Sequence, residues 1–116
     1  MIKRKDDLAV ENRIELRGGN GTIPFTHLLS KEEIGKAGRM CAVMTIGPGC
    51  SIGDHDHQGE AEVYYVLDGE VCCTDDGKEE ILHRGDVMIT ASGHSHSVEN
   101  KGSDPVNILA IIINNV

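Results

Sequence analysis

Tryptophan is absent, phenylalanine occurs once and tyrosine twice, while glycine occurs 14 times in 116 residues. Scarce aromatics and little helix-forming sequence beside so much glycine point to short strands joined by tight turns. Long apolar runs are missing too. The longest, Ile108-Leu109-Ala110-Ile111-Ile112-Ile113, falls far short of the ~18 residues of a membrane span. The start, Met1-Ile2-Lys3-Arg4-Lys5-Asp6-Asp7, is basic but lacks the apolar stretch of a secretory signal, so the expected location is the cytoplasm. Positive charge is short: 11 basic against 19 acidic residues leave a net charge of −8. Such a surface repels phosphate backbones and anionic lipid, which argues against nucleic acid and membrane as partners. Cys41, Cys50, Cys72 and Cys73 show no C-x-x-C spacing. Cys72 and Cys73, as strand neighbours, would point to opposite faces, and the four read as small core or surface thiols.

What is present reads as one domain over residues 1–116, long enough to bury a core without staples. Residues 1–13 are polar, with weak periodicity, and suggest an N-terminal arm. The turn cluster at 17–22 is followed by no helix start and no Lys-Ser/Thr, so it is a turn and not a phosphate loop. Residues 23–28 read as a short strand, placed at an edge by Pro24. Ser30-Lys31-Glu32-Glu33 is a capping box that starts one helical turn, stopped by Gly35. From residue 39 to 113 strand and turn alternate, with strands expected at 40–46, 63–67, 70–74, 79–82, 86–90, 94–99 and 106–113. Asp75-Asp76-Gly77 is a hairpin signal. Turns recurring about every ten residues are the pattern of an all-β sandwich or barrel.

The chemistry-bearing residues are His55, His57, Glu62 and His96. Three imidazoles with one carboxylate suit a first-row transition ion better than Ca or Mg. Positions i and i+2 of a strand share a face, so His55 and His57 project to one side. Glu62 follows a bend at Gln58-Gly59, and His96 must arrive on a distant strand that passes beside them. Glu60 and His94 stand two residues before Glu62 and His96 and compete with them. Taken alone, Glu60 reads more simply as a solvated loop carboxylate and His94 as a residue at the mouth of the pocket. Tyr64 shares the Glu62 face; it could offer a hydroxyl near the ion or be a core aromatic. His27 and His83 have no partner in the sequence, and His83 reads as an exposed turn residue.

The two segments together resemble the cupin superfamily. Its first motif, G-x5-H-x-H-x3,4-E-x6-G, is matched by Gly49, His55, His57, Glu62 and Gly69. Its second, G-x5-P-x-G-x2-H-x3-N, is matched by Gly85, Gly93, His96 and Asn100, with Ala91 where the family has proline. That position shapes a turn and binds no metal, so turn rigidity is what the departure puts in question. The resemblance implies a double-stranded β-helix, the jelly-roll barrel, usually dimeric. It also implies His55, His57, Glu62 and His96 as ligands of one divalent transition metal (Mn, Fe, Ni or Zn), and so chooses Glu62 over Glu60 and His96 over His94.

A single-domain cupin of this kind suggests a metal-dependent enzyme acting on a small oxygen-chelating anion or sugar-like substrate. Decarboxylase, dioxygenase, isomerase and lyase chemistries all occur in such barrels, and the general acid–base candidates are His94, Tyr64 and Glu60. The alternative is a barrel that binds or senses a small ligand without turnover. A homodimer is expected from the resemblance and from residues 106–113, whose apolar side chains fall on both faces of the strand.

Overall fold

The structure, a computed structural model, describes residues 1–115. Ten strands run in chain order: β1 (Val10–Ile14), β2 (Thr22–His27), β3 (Gly38–Ile46), β4 (Ser51–Asp56), β5 (Glu60–Val66), β6 (Glu70–Asp75), β7 (Lys78–His83), β8 (Val87–Thr90), β9 (Ser95–Glu99) and β10 (Val106–Asn114), with one helical turn, α1 (Lys31–Ile34), before β3. They form two antiparallel sheets, β1-β2-β3-β10-β5-β8 and β4-β9-β6-β7, the jelly-roll double-stranded β-helix expected.

Alternation along the strands explains the layering. In β3, Met40, Ala42, Met44 and Ile46 are buried; in β10, Val106, Ile108, Ala110 and Ile112 are. These faces meet Ile23 and Phe25 of β2, Val66 of β5, and Ile52, Val71 and Val98 of the smaller sheet in one core. Each fully buried aliphatic side chain contributes roughly 1.5–3 kcal/mol. Cys73 is in the core and Cys72 is half-buried on the other face, as neighbours on a strand must be.

The turn chemistry follows the sequence. The Ser30 hydroxyl accepts from the Glu33 N–H, and the Glu33 carboxylate accepts from the Ser30 N–H, closing the capping box. Asp76 and Gly77 both take positive φ, 50° and 82°, the type I′ pattern that matches strand twist in a two-residue hairpin. Asn100 is buried; its amide donates to the carbonyls of Ile46 and Asp104 and its carbonyl accepts from the Gly102 N–H.

The N-terminal reading needs two corrections. Residues 10–14 are more than an arm: they form β1 and pair with β2 in the register Val10↔Thr26 to Ile14↔Thr22. β1 is an edge strand with no buried residue, so no alternation announced it. β2, expected at an edge because of Pro24, lies between β1 and β3. It pairs with β3 only over Phe25, Thr26 and His27, which leaves the missing N–H of Pro24 outside that ladder.

Candidate metal centre

Three strands and the first residue beyond β4 deliver the four expected side chains. β4 and β9 are paired with His55 directly opposite His96, and the register slips between Ile52 and His55. The bulge at Gly53-Asp54 breaks the two-residue repeat, so Ile52 and His55 both face the barrel interior although three positions apart. Gly53 has a second reason to lack a side chain: a Cβ there would collide with the carbonyl of Arg17, and one on Gly19 with the carbonyl of Ser51. The 16–19 turn is thus laid backbone to backbone on β4. The chain leaves β4 after Asp56, bends through Gln58 and Gly59, and re-enters the large sheet as β5, where Glu62 is buried.

The donor atoms converge. His57 Nε2 is 3.1 Å from His96 Nε2 and 3.0 Å from Glu62 Oε1. His96 Nε2 is 3.0 Å from His55 Nε2 and 3.1 Å from Glu62 Oε1. All four ligand atoms lie within 4.8 Å of one another.

At His55 and His57 the opposite ring nitrogens settle what the inward ones carry. His55 Nδ1 is 2.8 Å from the Gly53 carbonyl, which can only accept, so the proton is on Nδ1. His57 Nδ1 donates in the same way to Glu60 Oε2 at 2.7 Å. Neutral His55 and His57 therefore present Nε2 lone pairs toward the buried Glu62 carboxylate, while His96, whose Nδ1 meets a Thr90 hydroxyl able to donate or accept, can carry its proton on either ring nitrogen. Lone pairs gathered on a buried carboxylate call for positive charge among them, a proton or a metal cation, and this is the physical ground on which the residues fit a metal.

The surrounding side chains hold the ligands in place. Glu60 takes a bidentate pair from Arg39, Nε to Oε1 and Nη2 to Oε2, both 2.8 Å. That bond, more than the neighbouring His57, holds the Glu60 carboxyl down at about 2. Thr90 Oγ1 is 2.7 Å from His96 Nδ1, and the Tyr64 ring stacks on His96 with centroids 4.8 Å apart. Hydrogen bonding to Glu62, ahead of that to Glu60, raises His57 above the usual imidazole range, while burial lowers His55. Burial first, then the Glu62 charge, pushes the Tyr64 phenol well above its ordinary value.

The three acid–base candidates part company here. Tyr64 lines the cavity beside the cluster. Glu60 is no solvated loop carboxylate; both its oxygens are engaged by Arg39 and His57. His94 is outside the pocket, exposed, with Nδ1 2.6 Å from Asp76 Oδ2. β9 starts only at Ser95, so His94 belongs to the preceding turn and the i, i+2 rule does not reach it. That turn holds without the proline: the Gly93 N–H donates to the His57 carbonyl and the His57 N–H to the His94 carbonyl, while Ser92 Oγ accepts from the Gly59 N–H.

The cavity at the cluster measures about 80 Å³, and its lining adds Arg13, Arg17 and Arg39 to the ligands. No motif marks these arginines; strand pairing across the N-terminal hairpin and β3 brings them in.

Comparison with known proteins agrees with this fold. An oxalate-binding protein of Thermotoga maritima is 43% identical over 113 residues, covering 97% of this chain and 93% of that one. A crystal structure described as a predicted oxalate decarboxylase from the same organism superposes with a TM-score of 0.93 at 43% identity, covering 99% of this chain and 100% of the other. The cupin domain of Schizosaccharomyces pombe Cnp3, at 15% identity, shares the fold alone, with a TM-score of 0.73 over 92% of this chain and 70% of that one. The cupin domain profile matches residues 42–112, more than half of the sequence. With the barrel and the inward-facing donor set in place, the chain belongs to the cupin domain family.

Proposed function

We propose that His55, His57, Glu62 and His96 hold one divalent transition metal, and that the protein binds on it a small bidentate oxygen anion of the oxalate class. The observation that carries this is the convergence of three imidazoles, with the His55 and His57 Nε2 lone pairs turned inward, and a buried carboxylate on one point. Three imidazoles with one carboxylate suit Mn, Fe, Ni or Zn. Four protein ligands leave two positions of a six-coordinate ion for a chelator, and the bound ion would supply Lewis-acid polarisation of its oxygens. A cavity of about 80 Å³ suits a small chelator rather than a large ligand. The Thermotoga relative's name, oxalate-binding protein, points the same way.

Binding without turnover is the reading the surroundings support best. Decarboxylase, isomerase or lyase chemistry needs a group that moves a proton at the ligand. Glu60 is engaged by Arg39, His94 is on the outer surface, and the buried Tyr64 phenol keeps its proton. An enzymatic role would rest on Tyr64. Elemental analysis should find about one metal per chain, and calorimetry should show metal-dependent oxalate binding. Absence of metal after growth in metal-rich medium sinks the assignment. Steady production of formate from oxalate, abolished in Tyr64→Phe, would replace binding with catalysis.

A homodimer and a cytoplasmic location complete the reading. The outer face of the large sheet carries Val87 and Ile89 of β8 and Tyr65 of β5, all exposed, beside Leu109 and Ile111 of β10. A contiguous apolar face of this kind suits a second protomer, and a monomer by light scattering would remove it. The four thiols are free, which suits a reducing compartment.

A further inference from the structure

Three of the chain's five arginines line the one small cavity at the metal centre, and no lysine does. In a protein of net charge −8 this is a local reversal of sign, and it prepares the cavity for an anion. The three are not equivalent. Arg39 spends its fork on Glu60. Arg17 is exposed, at the rim. Arg13 is half-buried and fixed: its guanidinium carbon lies 4.3 Å from the centroid of the Phe25 ring, and Phe25 is itself in the core. One bond, Nη2 to Glu11 Oε1 at 3.2 Å, is its recorded polar contact among the described residues. A guanidinium has five N–H donors, so most of its fork is left for a ligand. Arg13 and Tyr64 line the same cavity as the donor atoms.

We infer that Arg13, seated on Phe25, is the specificity-determining residue of this cavity: its fork receives the carboxylate oxygens that the metal leaves free on a small dicarboxylate. This rests on the oxalate-class reading above and goes beyond it, since the four metal ligands alone would accept any small chelator. A planar bidentate donor fits a carboxylate edge as a lysine cannot. Stacking on Phe25 fixes the plane of the guanidinium and lowers the entropy lost when the anion arrives.

Calorimetric titration of the Mn-loaded protein with oxalate and with acetohydroxamate, a bidentate chelator without a carboxylate, tests it. Arg13→Gln should weaken oxalate roughly ten- to a hundredfold, the scale of a charge-assisted pair. It should move acetohydroxamate by less than about threefold and leave metal content at the wild-type value. Arg13→Lys should recover only part of the oxalate affinity. The inference is overturned if Arg13→Gln binds oxalate as wild type does, weakens both chelators alike, or loses metal, which would make Arg13 part of the scaffold. Wild type that takes up metal but binds no oxalate overturns the underlying reading as well, and that outcome is visible before any variant is made.

Discussion

The two walls of the cavity are built by different rules. One, from β4, β5 and β9, carries His55, His57, Glu62 and His96, and its three histidines are each locked by a further bond or by stacking: Gly53 acts on His55, Glu60 on His57, and Thr90 and Tyr64 on His96. The other, from β1 and the 16–19 turn, carries Arg13 and Arg17 on an exposed edge strand with one side-chain bond at Arg13. A metal demands fixed donors at fixed distances, so its wall is over-determined. A small anion needs charge and one planar contact, which an edge strand can supply. On the functional reading proposed above, the first wall governs metal uptake and the second the choice of ligand.

The sharpest way to break that division is to cut the metal wall. His96→Ala should retain only a small fraction of the wild-type metal while circular dichroism still reports the β fold; full occupancy would refute the donor set. Stripping the metal with chelator should lower the melting temperature by on the order of 10–20 °C, since a ligand at 100 to 1,000 times its Kd contributes about 2.7–4.1 kcal/mol to a domain of this size. Calorimetry in which chelator leaves the transition unmoved would count against tight binding.

Acid tests the same wall by mass action. His57 is raised because Glu62 and then Glu60 stabilise its imidazolium, so below that raised value a proton takes the metal's place between the two carboxylates. Apparent metal affinity should hold at higher pH. As pH falls through the histidine range it should drop by about tenfold per unit for each proton displaced. Complete retention at pH 4 in a dialysis series would be incompatible with this competition. Glu60→Gln removes the carboxylate that orients His57 and should weaken metal binding about 10- to 100-fold, with the preference for oxalate over acetohydroxamate unchanged. The smallest effect belongs to the other wall. Glu11→Gln loosens one exposed contact to Arg13 and should change stability by less than ~0.5 kcal/mol, with no change in metal content; a large metal loss would show that the walls are not separate.

What the sequence revealed follows from the same contrast. The ligand wall was readable because strand periodicity and short local spacings place His55, His57 and Glu62, and one register pairing, His55↔His96, completes the set. Glu60 was misread because its role depends on Arg39, 21 residues away and joined to it by sheet geometry. His94 was misplaced by one residue of strand boundary. Arg13 could not be found from spacing: its place over Phe25 depends on how β1 pairs with β2, and β1 has no buried face to betray it. Pro24 suggested an edge that is real only locally, where β3 no longer reaches.

The position of β10 in the large sheet carries a consequence for how the chain is made. β10 lies between β3 and β5 and pairs with both, yet it is synthesised after both. Until residues 106–114 leave the ribosome, β3 and β5 each hold a row of unpaired backbone groups along an apolar strand. Such edges are open to mispairing with other nascent chains. Closure of the barrel is thus a late, long-range event, slow in proportion to the sequence it must bridge. Variants that stop short of β10 should collect as aggregates on the polysome rather than as shortened, folded barrels.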